Sequence, residues 1–365
     1  MIAIMPPRLA GWPIGFHVPQ LMLPQVRSLG LSFWTSLALR QPIIDYLPPL
    51  YSVNRNLFPT MANSDSDVAG TKSVVVTGGA SGLGLAMARH FASQGCRVTI
   101  LDVNEESGLA VETEVSQQYP QATVTFKKCD ISSWQNQASA FKEAHLQAGR
   151  IDIVMANAGI SEQGKSNLAV LDEDEPSEPR LRILDVNLTG TIYTVKLAMH
   201  YMRKNKPDVA TGSRGSIICT ASNAGLYPFP TSPLYAVSKF GIVGLVRSLA
   251  RPLESAGIQI NALAPAVLET GLAPSKDLFK HMVVTPISTL TRGIAQFIEN
   301  PSITGEVAEI HGENVTLRPP HEFVDEDSRA NVEMFWKLGL AETDVAHFKG
   351  LFIFDCVLST GPHTS

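Results

Sequence analysis

Between Thr71 and about residue 315, short apolar runs rich in β-branched residues alternate with longer stretches of mixed polarity. The runs at Ser73–Thr77, Arg97–Leu101, Thr123–Lys127, Ile151–Met155, Gly215–Thr220, Gln259–Leu263 and Glu306–Ile310 predict strands. Strands covered on both faces are apolar throughout rather than alternating. The stretches Leu83–Gln94, Glu105–Gln118, Ser132–Gln147, Leu181–Lys204 and Pro233–Ser255 predict helices. Strand and helix taking turns in this way predicts an α/β fold: a single doubly wound parallel-sheet domain with helices on both faces, over 71–315.

The pattern fails at both ends. In the first sixty residues prolines recur, Asp45 is the only acid and no amphipathic period holds. Pro13, Pro19 and Pro24 would break any spanning helix in the uncharged stretch from Leu9 to Val26, so no membrane anchor is expected. Arg8, Arg27 and Arg40 only weakly suggest a mitochondrial presequence. Met61 opens a short polar lead just before the first strand and is the expected functional start. Residues 1–70 are then a proline-rich extension outside the core, and the protein is expected in the cytoplasm, with mitochondrial targeting as the alternative. Residues 316–365 form a C-terminal extension with one helix, Asp327–Leu338, and a Gly/Pro-containing tail from Gly350.

The chain has 365 residues, 44% hydrophobic and 17% charged, which excludes disorder throughout. A net charge of −5 leaves no basic footprint for nucleic acid, so the expected partner is a small molecule. Cys96, Cys129, Cys219 and Cys356 lie far apart, without a CxxC pair or a nearby His cluster, which predicts reduced thiols and no metal site.

Candidate chemistry begins where the first strand stops. Thr77-Gly-Gly-Ala-Ser-Gly-Leu-Gly84 joins a strand to a helix. There, backbone N–H groups and the positive end of a helix dipole favour a phosphate, provided no Cβ stands in the way. Gly78 lets the chain turn, Gly82 allows a pyrophosphate to approach and Gly84 lets helix pack on strand, so Gly78, Ser81, Gly82, Leu83 and Gly84 form the expected Rossmann dinucleotide turn. Asp102 ends the second strand, where a carboxylate accepts the adenosine ribose hydroxyls or caps the next helix. It would repel a 2′-phosphate, and no Arg or Lys stands at 79–81 or 103–104, so NAD is expected over NADP. Asp130 follows the third strand as an N-cap or at the adenine edge. Tyr235 and Lys239 are four apart on a helix and share a face. A free tyrosine has a pKa of about 10, and a neighbouring cation would lower it towards a working base.

The glycine turn, Asn157-Ala-Gly159, Asp185-Val-Asn187, Thr220-Ala-Ser222, Tyr235-xxx-Lys239 and Asn261-xxx-Pro265 follow one another in a fixed order. In that order the chain, over about 72–312, resembles the classical short-chain dehydrogenase/reductase family, and Ser81 stands where the extended branch would have glycine. The resemblance implies that Tyr235 exchanges the substrate hydroxyl proton and Ser222 orients the substrate oxygen. Lys239 would bind the nicotinamide ribose and lower the tyrosine pKa, and Asn187 would hold a relay water. It also implies cofactor contacts at Asn157, Gly159, Leu268 and Thr270. Pro265-Ala266 replaces the usual Pro-Gly, and Ala156 a common Asn.

These residues imply an oxidoreductase interconverting an apolar secondary alcohol and its ketone, in a pocket lined by Tyr227, Pro228, Phe229, Leu234 and 271–284. Within the family the chain is similar to the branch of 15-hydroxyprostaglandin dehydrogenase and natural-product-tailoring reductases, which implies secondary metabolism. Family members imply a homodimer or homotetramer through the helices at 181–204 and 233–255. The alternative is an inactive dinucleotide sensor or scaffold of the same fold.

Overall fold

The computed structural model describes residues 71–162, 168, 170–268 and 280–343, with side chains to 337. The expectations for 1–70, including Met61, for Thr270, for 271–279 and for the tail beyond 343 lie outside the described residues.

Strands β1 (Ser73–Thr77), β2 (Arg97–Asp102), β3 (Thr123–Lys128), β4 (Ile153–Ala156), β5 (Gly215–Thr220), β6 (Ile258–Pro265), β7 (Val307–His311) and β8 (Asn314–Leu317) form one sheet in the order 3-2-1-4-5-6-7-8. All pairings are parallel except β7 with β8, which is antiparallel. The chain reverses direction in the sheet between β1 and β4, and in open α/β sheets ligands bind beyond the strand carboxyl ends at such a point.

Successive side chains on a strand point to opposite faces, so each buried strand feeds two cores. Val75, Leu101, Val154, Ile217, Cys219 and Ile260 pack on one face, under α3 (Trp134–Ala148), α5 (Thr191–Met202) and α6 (Pro233–Glu254). Val74, Val76, Ile100, Met155, Ile218 and Leu263 pack on the other, under α1 (Gly82–Ser93), α2 (Glu105–Gln118) and α7 (Ile287–Glu299). Seven expected strands and six expected helices are present, but α7 and β8 are additions. In α7, Leu290, Ile294 and Phe297 are fully buried at a helical spacing. β8 returns on β7 after Gly312, whose φ of +49° suits a residue without Cβ.

The expected helix 181–204 is also not uniform. A short α4 (Arg182–Leu184) runs into a π-helical turn, Asp185–Gly190, before α5. An added Cβ on Gly190 would lie 2.8 Å from the Ile131 side chain, so a glycine lets this widened turn press on the β3–α3 connection. The C-terminal helix α8 covers Glu326–Thr343.

Candidate active site

The dinucleotide turn is fixed from both sides. Gly78 N–H donates to Leu101 O at 2.7 Å, and Ala80 N–H donates to the Asp102 carboxylate at 3.1 Å. Gly78 has φ +66°, and a Cβ there would lie 2.8 Å from Ala158 Cα; on Gly84 it would lie 2.0 Å from Gly78 O. Ser81 makes no side-chain cap on α1, and the first turn of α1 carries no acid. The helix N-terminus thus keeps its N–H groups and positive dipole for an anion, as a bound pyrophosphate requires.

Asp102 binds inwardly to the turn rather than capping the next helix. Its other oxygen accepts from Asn104 N–H at 3.0 Å, and Asn104 itself caps α2 through Ser107 N–H. Nor is Asp130 the cap of α3, a role taken by Ser133. The Asp130 carboxylate accepts from Ser132 N–H and hydroxyl and pairs with Arg182 at 3.1 Å, which together hold it below the usual carboxylate range.

The loop after β4 ties the site together. Thr77 Oγ1 accepts from the N–H groups of Asn157 (2.9 Å) and Ala158 (3.0 Å), while Asn157 Oδ1 accepts from the Thr220 hydroxyl at 3.1 Å. Asn187, buried in the π-turn, accepts from Ile160 N–H at 2.8 Å and donates to Ile160 O at 2.9 Å. A Cβ on Gly159 would lie 3.2 Å from Asn187 Oδ1 and 3.7 Å from Lys239 Nζ, so only a glycine leaves that space open.

Ser222, Tyr235 and Lys239 converge beside this loop. Ser222 caps the 3₁₀ turn Asn223–Gly225 by accepting from Ala224 N–H, and its hydroxyl, which donates to Asn223 Oδ1 at 3.1 Å, lies next to the Tyr235 phenol. Lys239 is buried, with Nζ 5.5 Å from the centre of the Tyr235 ring and donating to Thr220 O at 2.8 Å. Burial pulls the Lys239 ammonium down to about 8. The tyrosine differs from expectation: burial raises its pKa, and the neighbouring Ser222 hydroxyl offsets this only in part.

The expected substrate walls are also dispersed. Leu234 and Leu268 are buried, and the Tyr227 hydroxyl donates to Glu309 at 2.9 Å. Pro228 and Phe229 line an apolar groove of about 510 Å³ with Pro230, Pro233, Ala236, Val237 and Phe240. Val237 and Phe240 lie on the face of α6 opposite the buried Ser238 and Lys239, whereas the centre of the Phe229 ring stands 6.3 Å from that of Tyr235, so one end of the groove borders Tyr235 and the other runs along the exposed face of the helix. Thr77 and Thr220 stand at strand ends within the expected motifs but were given no role there, and Glu162 lies outside every motif.

Among the described residues no helix is long and apolar enough to cross a membrane, and no cluster of His, Cys, Asp and Glu could hold a metal. Cys96, Cys129 and Cys219 are buried free thiols.

Several known proteins are similar to the chain. A short-chain dehydrogenase/reductase of Penicillium roqueforti, prx4, is 43% identical over 205 residues, 56% of either chain. The chain thus spans little more than half the length of the curated relatives it matches at this level. It is 33% identical to the 5′-hydroxyaverantin dehydrogenase of Dothistroma septosporum over 75% of this chain and 92% of that one. Human 15-hydroxyprostaglandin dehydrogenase [NAD(+)] is 28% identical, over 66% and 90%, and an NADP-dependent dehydrogenase of Cochliobolus lunatus, clz5, 35%, over 58% and 76%. The crystal structure of levodione reductase superposes with a TM-score of 0.57 at 26% identity, covering 66% of this chain and 96% of that one. The short chain dehydrogenase family profile matches residues 72–280, and the chain belongs to that family of oxidoreductases.

Proposed function

We propose that the protein is an NAD-linked oxidoreductase that interconverts a hydrophobic secondary alcohol and its ketone, with Tyr235 as general acid and base. The reading is carried by one observation: Ser222 and Lys239 meet at the ring of Tyr235 beside Gly159 and Asn187. A dinucleotide would be held by Gly78, Ser81, Gly82, Leu83 and Gly84 at its pyrophosphate and by Asp102 at its ribose. Asp130, Asn157, Gly159, Leu268 and Thr270 would complete the grip. Bound nicotinamide supplies or takes the hydride.

The chain's own residues handle the proton. Tyr235, buried and protonated at neutral pH, gives its phenolic proton to the substrate oxygen in ketone reduction and takes it back in alcohol oxidation. Ser222 holds that oxygen and stabilises charge developing on it in a dry site. The Lys239 ammonium supports the phenolate while the proton is away, and Asn187 positions the route by which Lys239 is re-protonated.

NAD preference rests on the Asp102 carboxylate and the lack of an Arg or Lys beside it at 103–104. The relatives include both NAD(+) and NADP-dependent names, so the neighbourhood of Asp102 carries this preference rather than family membership. A hydroxylated substrate in natural-product metabolism fits the 5′-hydroxyaverantin dehydrogenase relative. A homodimer or homotetramer fits the exposed Val237, Phe240 and Ile192 on α6 and α5.

The test is turnover of purified protein with NAD across a panel of hydrophobic secondary alcohols, with both cofactors titrated in parallel. Oxidation with tighter NAD than NADP binding is expected. A protein that binds dinucleotide but turns over nothing would favour the sensor or scaffold, and tighter NADP would overturn the reading of Asp102.

A further inference from the structure

We propose that Glu162 is a positioning residue for the reaction: it fastens the helix that carries Tyr235 to the loop that carries the cofactor-side residues. The inference rests on the reading of Tyr235 given above.

Helix α6 starts without the usual means of satisfying its first N–H groups. Pro233 stands at its first position and has no N–H, Ser232 makes no side-chain cap, and the first turn contains no acid. The Ser232 carbonyl already accepts the first helical bond, from Ala236 N–H at 3.0 Å. The N–H of Tyr235 therefore needs a partner from elsewhere, and Glu162 Oε2 accepts from it at 3.1 Å. Glu162 is only 5% exposed, although it lies 73 residues earlier in the chain. A carboxylate at a helix N-terminus also meets the positive end of the dipole, which is a reason for glutamate rather than an apolar residue here.

What makes this more than a cap is where the carboxylate comes from. Two residues before it, Ile160 is clamped at both its N–H and its carbonyl by Asn187, and one residue before that, Gly159 faces Lys239 Nζ. At the other end of the loop, Asn157 is fixed to Thr77 and Thr220. Residues 157–162 thus form a strap whose successive positions hold the end of β1, the π-turn and the backbone of Tyr235. Its last tie is Glu162. Without it, α6 keeps its buried face, while the first turn, and with it the phenol, loses its register to Ser222 and the cofactor side.

The test compares Glu162→Ala, Glu162→Asp and Glu162→Gln with the parent, reading kcat and KM for alcohol and NAD, and hydrogen exchange of the first turn of α6. A small displacement of a reacting group can cost about 100-fold, so E162A and the too-short E162D should lower kcat by about 10-fold or more with each KM within about threefold. E162Q, which keeps the acceptor at full length, should restore kcat to within about threefold of the parent. Exchange in the first turn should rise in E162A and E162D but not in E162Q. Parent-like kcat and exchange in E162D would overturn the proposal, as would a loss in E162Q as large as in E162A. The exchange measurement needs no substrate, so a parent without turnover would sink the oxidoreductase reading while leaving the role of Glu162 to be decided by exchange.

Discussion

At Lys239 two demands conflict, since in the proposed mechanism the ammonium stays charged to support a phenolate and yet it is enclosed by protein. Enclosure holds its pKa near 8, well below the ordinary lysine value, with the Thr220 carbonyl as its hydrogen-bond partner. The native state therefore binds fewer protons at this site than the unfolded chain between about pH 8 and 10.5. The burial penalty is fully present below pH 8 and is removed as pH rises towards the unfolded value. By linkage the parent should gain stability across that window relative to Lys239→Met, by an amount on the order of 3 kcal/mol. Urea unfolding of both proteins at pH 7.5 and at pH 10 measures this. A constant difference between them would show that Lys239 is not held at a lowered pKa. The spacing of Tyr235 and Lys239 foretold that the two would lie side by side on one helix, as the 5.5 Å from Nζ to the ring centre shows. The direction of the tyrosine shift was not legible, because it depends on burial, a product of the tertiary structure.

Among the elements, strands were read closely because long β-branched runs have few other uses. The shortfall lay in α7, β8 and the π-turn. Helix α7 carries Leu290, Ile294 and Phe297 on one buried stripe, but Gly293 and polar neighbours interrupt the run on which the strands had stood out. β8 is short and polar at Asn314 and Thr316, as an edge strand can be, because only its pairing with β7 holds it. The π-turn has no local signature apart from Gly190, since the widening answers to Ile131 and Ile160 in other parts of the chain. If α7 is an integral wall of the second core, Phe297→Ala should cost about 3–5 kcal/mol of stability, while Leu146→Ala at an exposed position of α3 should stay within about 0.5 kcal/mol. Chemical denaturation of the two variants checks this, and equal losses would contradict the assignment of Phe297 to the core.

For the whole molecule, one sheet with a reversal between β1 and β4 gathers residues from Gly78 to Lys239 at a single edge. The order of short motifs was enough to foresee that gathering, because the glycine turn, Asn157 and Ser222 each follow a strand end and the helices carrying Asn187 and Tyr235 start from the same side of the sheet. Walls made by connections were harder to foresee. Phe229 was expected beside the substrate, and its ring centre does stand 6.3 Å from that of Tyr235, yet it also lines a groove that runs on along the exposed Val237 and Phe240 of α6, since nothing local says which way a proline-flanked loop will fold. Glu162 was invisible for a similar reason: an isolated acid in a loop acquires meaning only when the start of a distant helix arrives beside it. The central claim is that the residues gathered at this edge move a proton through Tyr235 while a nicotinamide exchanges a hydride. The most direct measurement is the rate of NAD reduction by the best alcohol of the panel, for the parent and for Tyr235→Phe. Removing the hydroxyl while keeping the ring should lower kcat by at least about 100-fold with dinucleotide affinity unchanged. Turnover by Tyr235→Phe at the parent rate would contradict the claim.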